Sequence, residues 1–174
     1  MKRSIVRKLT LDDTQDFLEC LNNPDLQDTF GALYTTSEDE ARIILNLFLD
    51  ENRRKERLIF GIKESEDPEK EKRDKIVGII LSKKKQEKVD LTCLINPKYQ
   101  GKGYASRGLK ETMKLLHRKD KSIRTFQMLI SDENKDSQKL AIRLGFDCKG
   151  KSIEIPTLNE YTRSTKREKK EEGR

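Results

Sequence analysis

Residues 91–116 read LTCLINPKYQGKGYASRGLKETMKLL, and this stretch decides the fold. An apolar strand, Val89 to Ile95, is stopped by Asn96 and Pro97, because proline has no N–H for a sheet ladder and keeps its predecessor out of helical geometry. The glycines of QGKGYA follow, and a helix begins near Gly103 with Ala105, Leu109, Met113, Leu115 and Leu116 on one broad apolar stripe. Glycines let a backbone approach a ligand closely, and a helix start directs unpaired N–H groups and partial positive charge at it, so this turn calls for an anion. A P-loop needs GxxxxGK followed by Ser or Thr, and a dinucleotide fingerprint needs a third glycine where Ser106 stands; neither pattern fits.

Outward from the turn the chain reads as alternating elements. Upstream, Ser4 to Leu9 forms an opening strand, and Asp12 caps a helix bearing Phe17, Leu18 and Leu21 that Asn22, Asn23 and Pro24 end. Ser37 and Glu40 stand at capping-box spacing before Ala41, Ile44, Leu45 and Phe48, which recur at helical period. Leu58 to Lys63 and Ile76 to Leu81 are strands, and the charged segment ESEDPEKEKRDK between them reads as a solvated hairpin loop. Downstream, Ile123 to Ile130 is a strand. A helix from about Asn134 to Leu144 follows, with Leu140, Ala141 and Leu144 inward and Gly145 as its stop. Phe146 to Thr165 forms a terminal hairpin turning around Pro156 to Asn159, and TKREKKEEGR is a frayed tail. The order is that of a mixed α/β sheet.

Composition bounds the function. A chain of 174 residues suits one domain, and its 40% charged residues must lie on exposed faces, loops and the tail. The net charge of +7 favours acidic partners without choosing among cofactor phosphates, RNA and anionic proteins. Cys20, Cys93 and Cys148 are odd in number and lack metal-ligand spacing, which argues against a disulfide scaffold or a metal site and for a reducing cytoplasm. MKRSIVRKLTLDD has no apolar leader region, and no run approaches the roughly 20 apolar residues of a spanning helix, so no membrane association is expected.

QGKGYA fits the Q/RxxGxG/A signature of the GCN5-related N-acetyltransferases, with Gln100, Gly103 and Ala105 on the signature positions. Further along, NKDSQKLAIRLGF resembles the same family's NxxSxxxxxxxGF helix at Asn134, Ser137, Gly145 and Phe146. The opening IVRKLTLDDTQDFLECLNNPDL is similar to the branch containing ribosomal-protein-alanine N-acetyltransferases and spermidine acetyltransferases. The resemblance covers nearly all of residues 3 to 165. It implies an acyl-CoA N-acyltransferase fold, a central mixed, mostly antiparallel sheet flanked by about four helices, in a domain over 1–165 with a basic tail over 166–174.

The resemblance also implies acetyl-CoA as co-substrate, without a metal. Backbone N–H groups of the turn Gln100, Gly101, Lys102, Gly103, Tyr104, Ala105 and Ser106 would bind its pyrophosphate, and the strand ending at Leu94 and Ile95 would hold the pantetheine arm. Lys102 and Arg107 could add charge. Asn134 either contacts cofactor or caps its helix, and Ser137 either protonates the leaving thiolate or packs in the first helical turns. Other branches use a tyrosine for that step at the position of Ala141. The glutamate that some relatives carry on the cofactor strand falls at Val89, one step out of phase with Asp90. Asp132, Glu133 and Glu160 are alternative carboxylates. His117 reads as a helix C-terminal charge, and Cys93 as a small buried apolar group.

Without a strong base, direct transfer suits an α-amine, whose pKa near about 8 lies below the roughly 10.4 of lysine. The resemblance implies a protein N-terminal α-amine as acceptor, with a polyamine or other small amine as alternative. The remaining reading is a non-catalytic CoA-binding or ribosome- or RNA-associated protein. Either a monomer or a homodimer fits.

Overall fold

The computed structural model describes residues 4–27, 33–64, 74–166 and 173. Its strands are β1 (Val6–Arg7), β2 (Leu58–Lys63), β3 (Ile76–Lys85), β4 (Lys88–Ile95), β5 (Thr125–Ser131), β6 (Asp147–Lys151) and β7 (Leu158–Ser164). The helices among the described residues are α1 (Thr14–Leu21), α2 (Glu38–Arg53), α3 (Tyr104–Lys119) and α4 (Lys135–Arg143). The sheet order is β1-β2-β3-β4-β5-β7-β6. β1 runs antiparallel to β2, β7 runs antiparallel to both β5 and β6, and β4 and β5 are parallel. A parallel pair needs a crossover, and α3 supplies it between Ile95 and Thr125. This is the mixed, mostly antiparallel sheet with helices that the sequence implied.

The chain divides into two units, Met1–Leu81 with Cys93–Glu111, and Ser82–Thr92 with Thr112–Arg174. In the first, Phe17 of α1 meets Phe48 of α2 edge to face at 6.4 Å, over a core including Leu21, Leu45, Ile76 and Ile79. β3 is buried without interruption from Ile76 to Ser82, as its apolar run requires, and then ends in three exposed lysines. The opening strand is shorter than the expected Ser4 to Leu9, covering Val6–Arg7 alone. Nor does Asp12 cap the first helix. Thr10 caps a 3-10 turn, Leu11–Asp13, that leads into α1; its hydroxyl accepts from the Asp12 N–H while the Asp13 carboxylate accepts from the Thr10 N–H. Arg7 locks Asp13 there through contacts of 2.8 and 3.0 Å. Ser37 caps α2 as expected, but the Glu40 carboxylate takes the hydroxyl of Thr35. Residues 65–73 of the charged loop lie outside the described residues.

In the second unit, β5 and β7 pair over seven residues, and Phe126, Ile130, Leu144 and Phe146 are buried. α4 ends as the glycine foretells. Gly145 has φ +84°, its N–H reaches the Ile142 carbonyl, and the Phe146 N–H reaches that of Ala141, the two bonds of a Schellman cap. The buried Arg163 guanidinium donates to the Leu144 carbonyl at 3.1 Å and serves the same helix end. The terminal hairpin turns over residues 152–157, earlier than expected, because Leu158 and Asn159 already pair with Ser131 and Ile130. Of the basic tail, residues 167–172 and 174 lie outside the described residues.

Candidate cofactor site

The glycine turn is built from β4, a 3-10 turn (Pro97–Tyr99) and the start of α3. Gly101 and Gly103 have φ +74° and +82°, a left-handed backbone that costs a residue with a Cβ about 1–2 kcal/mol. A Cβ built on either would meet nothing within 4 Å. The glycines are therefore required by conformation rather than by packing, and the space beside them is open to a ligand. The Gly103 carbonyl accepts the Arg107 N–H at 3.1 Å, which opens the ladder of α3. The first turn of α3 has no acidic residue and its last turn carries His117, Arg118 and Lys119. A first turn free of acidic residues suits an anion at the helix start.

Leu94, Ile95, Gln100, Gly101, Lys102, Gly103, Tyr104, Ala105 and Ser106 are brought together in one continuous strand-turn-helix. Gln100 is exposed, whereas Tyr104, Ala105 and Ser106 are half-buried. Tyr104 has a structural bond, its hydroxyl donating to the Glu64 carbonyl at 2.8 Å. Its ring meets Tyr99 edge to face at 6.0 Å, with Lys102 Nζ 5.3 Å from the Tyr99 centroid and the Arg107 guanidinium 5.0 Å from that of Tyr104. The two cations that could attract phosphate are thus carried on aromatic faces beside the turn.

Asn134 and Ser137 stand together at the start of α4, in the second unit. The Asn134 side chain accepts the Ser137 N–H at 3.1 Å, so its oxygen acts as the helix cap. Ser137 is half-buried and Ala141 fully buried.

The alternative catalysts fare differently. Burial raises the Asp90 carboxyl, against the opposing influence of Lys85 and Lys88, and Gln127 donates to it at 2.8 Å. Lys151 and Asn159, each 2.6 Å away, hold Asp132 below the usual carboxylate range. Both carboxylates are therefore committed to partners. His117 stands in the last turn of α3, where a helix-end group was expected, and is 1% exposed. Desolvation pushes the Cys93 thiol up to about 12, which removes the thiolate a nucleophile needs.

Sequence reading missed the polar groups behind the turn: Asp16, Glu19, Lys75 and Asn96. The Asn-Pro pair signalled a strand end, but nothing local announced the partners of Asn96. Among the described residues no group of three or more His, Cys, Asp or Glu side chains could hold a metal, and no helix is long and apolar enough to cross a membrane.

A mixed sheet whose parallel crossover helix starts at an open glycine turn defines the class as an α/β protein. A family model, the acetyltransferase (GNAT) domain, matches residues 3–147. The chain belongs to that family and is an acetyl-CoA-dependent N-acetyltransferase. Solved structures share the fold. An acetyltransferase of the GNAT family from Bacillus anthracis superposes with a TM-score of 0.72 at 20% identity, over 93% of this chain and 94% of that one. An acetyl transferase from Salmonella typhimurium that modifies the N-terminal serine of a 50S ribosomal subunit protein gives 0.72 at 18%, over 91% and 93%. An N-acetyltransferase from Thermoplasma acidophilum in complex with coenzyme A gives 0.67 at 17%, over 91% and 97%. No curated protein matches the sequence.

Proposed function

We propose that this acetyltransferase, a single domain over residues 1–165, moves acetyl from acetyl-CoA directly to a protein N-terminal α-amine in the cytoplasm. The observation that carries the cofactor assignment is the pair of left-handed glycines, Gly101 and Gly103, beside open space at the start of α3. Backbone N–H groups from Gln100 to Ser106 bind the pyrophosphate, and Leu94 and Ile95 hold the pantetheine arm. The helix dipole and the charges of Lys102 and Arg107 strengthen the hold on the anion.

With no carboxylate or thiolate assigned as base, catalysis rests on alignment of the amine with the thioester. The amine nitrogen attacks the acetyl carbonyl carbon, the C–S bond breaks, and the thiolate takes a proton from the Ser137 hydroxyl, which solvent water reprotonates. Water removes the proton lost by the amine, which is already partly neutral because an α-amine titrates near about 8. The acceptor is assigned by analogy with the Salmonella protein and by this chemistry; a small amine such as a polyamine is the alternative. Ribosome association and a monomeric or homodimeric state belong to the same proposal.

A second reading, CoA binding without catalysis, is favoured by the buried Ala141, which leaves no phenol at the position where related enzymes carry one. Release of free thiol from acetyl-CoA, measured with peptides bearing free N-termini, with N-terminally blocked lysine peptides and with spermidine, separates these readings. Turnover on free N-termini is expected. Turnover on spermidine alone would move the acceptor to small amines, and cofactor binding without thiol release on any amine would defeat the enzyme reading.

A further inference from the structure

Asn96 is 2% exposed, and every polar group of it is engaged. Its backbone N–H donates to the Val77 carbonyl at 2.8 Å, its carbonyl accepts the Tyr99 N–H at 2.8 Å, and its side-chain oxygen accepts the Lys98 N–H at 3.1 Å. Its amide nitrogen donates to Glu19 Oε2 on α1 at 2.7 Å. The same oxygen of Glu19 receives Lys75 Nζ at 3.0 Å, and Lys75 lies 3.7 Å from Asp16, which accepts the Ile76 N–H at 3.0 Å. One residue therefore ends β4, starts the 3-10 turn and ties both to α1 and β3. All of these groups belong to the first unit.

The glycines need such an anchor. Nothing lies within 4 Å of the Cβ positions of Gly101 and Gly103, so side-chain packing on those sides does not fix them, and glycine is the residue with the most backbone freedom to lose. The turn must be held at its ends. Downstream, α3 and the Tyr104 bond to Glu64 hold it; upstream, Asn96 does.

We propose that Asn96 is a positioning residue for the glycine turn, setting the approach of its N–H groups to the cofactor through its bond to Glu19. The inference rests on the assignment of Gln100 to Ala105 as the pyrophosphate turn. The Glu19 carboxyl fits the part: burial alone would raise it, but the bonds from Lys75 and Asn96 and the charge of Lys98 lower it, so it stays an anionic acceptor. A buried amide bonded to an anion is stronger than a neutral pair, and losing one partner leaves the other unpaired.

The test uses the full chain and three variants, Asn96→Ala, Glu19→Gln and Gly103→Val. Amide resonances of Gly101 and Gly103 are followed without cofactor, acetyl-CoA affinity is measured by calorimetry, and KM is compared with kcat. Asn96→Ala is expected to shift both glycine resonances, weaken acetyl-CoA binding about tenfold, and raise KM by a larger factor than it lowers kcat. Glu19→Gln keeps an oxygen for Asn96 but loses the charge, and is expected to give a smaller shift of the same resonances and about threefold weaker binding. Unmoved glycine resonances in a folded Asn96→Ala protein, or in Glu19→Gln if Asn96→Ala does not fold, would overturn the proposal. Gly103→Val reports on the turn itself: if it binds acetyl-CoA like the parent, the pyrophosphate assignment fails, whereas the cofactor-free resonances still judge Asn96.

Discussion

Gly108 of α3 faces Ile62 of β2 so closely that a Cβ on the glycine would come within 2.7 Å of Ile62 Cδ1 and 2.9 Å of Cγ1. The helix that carries the glycine turn thus rests directly on the sheet, with no room for a side chain between them. Gly108→Val inserts one where the isoleucine must give way, and overpacking of this kind costs about 1–3 kcal/mol. Urea unfolding should show that loss; an unchanged midpoint would mean that α3 is less closely seated.

Gly103 behaves in the opposite way. Gly103→Val meets no atom but holds a β-branched residue at φ +82°, so about 1–2 kcal/mol of stability should go and the protein should remain folded. Acetyl-CoA binding should fall by at least about tenfold, because the valine fills the space a pyrophosphate needs. Calorimetry on the same sample used for unfolding separates the two effects.

Ser137 and Asn134 are predicted to part company. Asn134→Ala removes the cap of α4 and should lower stability by about 1 kcal/mol. Ser137→Ala should leave stability and acetyl-CoA affinity nearly intact and reduce kcat by about 10²-fold, the lower end for a positioned proton donor. A full-rate Ser137→Ala enzyme would assign the thiolate's proton to water.

Asp120 reports on acid stability. Lys84 and Ser122 hold its carboxyl at about 2, below an unfolded value near about 3.9. A depressed folded pKa means that the contribution is full above about pH 4 and is lost as pH falls through about 2. The pair is partly exposed, so less than about 1 kcal/mol is involved. Comparing urea midpoints at pH 5 and pH 2, Lys84→Met should differ from the parent at the higher pH and converge with it at the lower.

The cysteines should divide by accessibility. Cys148 is exposed and should react with a thiol reagent in the native protein, buried Cys20 should react only on unfolding, and Cys93, half-buried with its thiol pushed up by desolvation, should react far more slowly than Cys148. Fast native modification of Cys93 would reopen an acyl-enzyme route.

Much of this protein follows from local sequence rules. The glycine turn, its strand and its helix are legible because left-handed backbone, proline termination and helical periodicity are properties of neighbouring residues, and Gly145 closes α4 for the same reason. Strand and helix order was readable too, since alternation and the 3.6-residue period are local. Element ends were less so: Thr10 rather than Asp12 caps the first turn because Asp13, held by Arg7, completes the box with threonine, a choice made by a contact outside the helix.

The sequence by itself determined the family, the glycine turn and the class of fold. Tertiary structure alone decided that Asn96 finds Glu19 across a separation of 77 residues, that Arg163 reaches back to the end of α4, and that His117 is enclosed rather than displayed. Those outcomes depend on which distant groups the folded sheet brings within about 3 Å, the range of a hydrogen bond. No period or spacing in the chain encodes them.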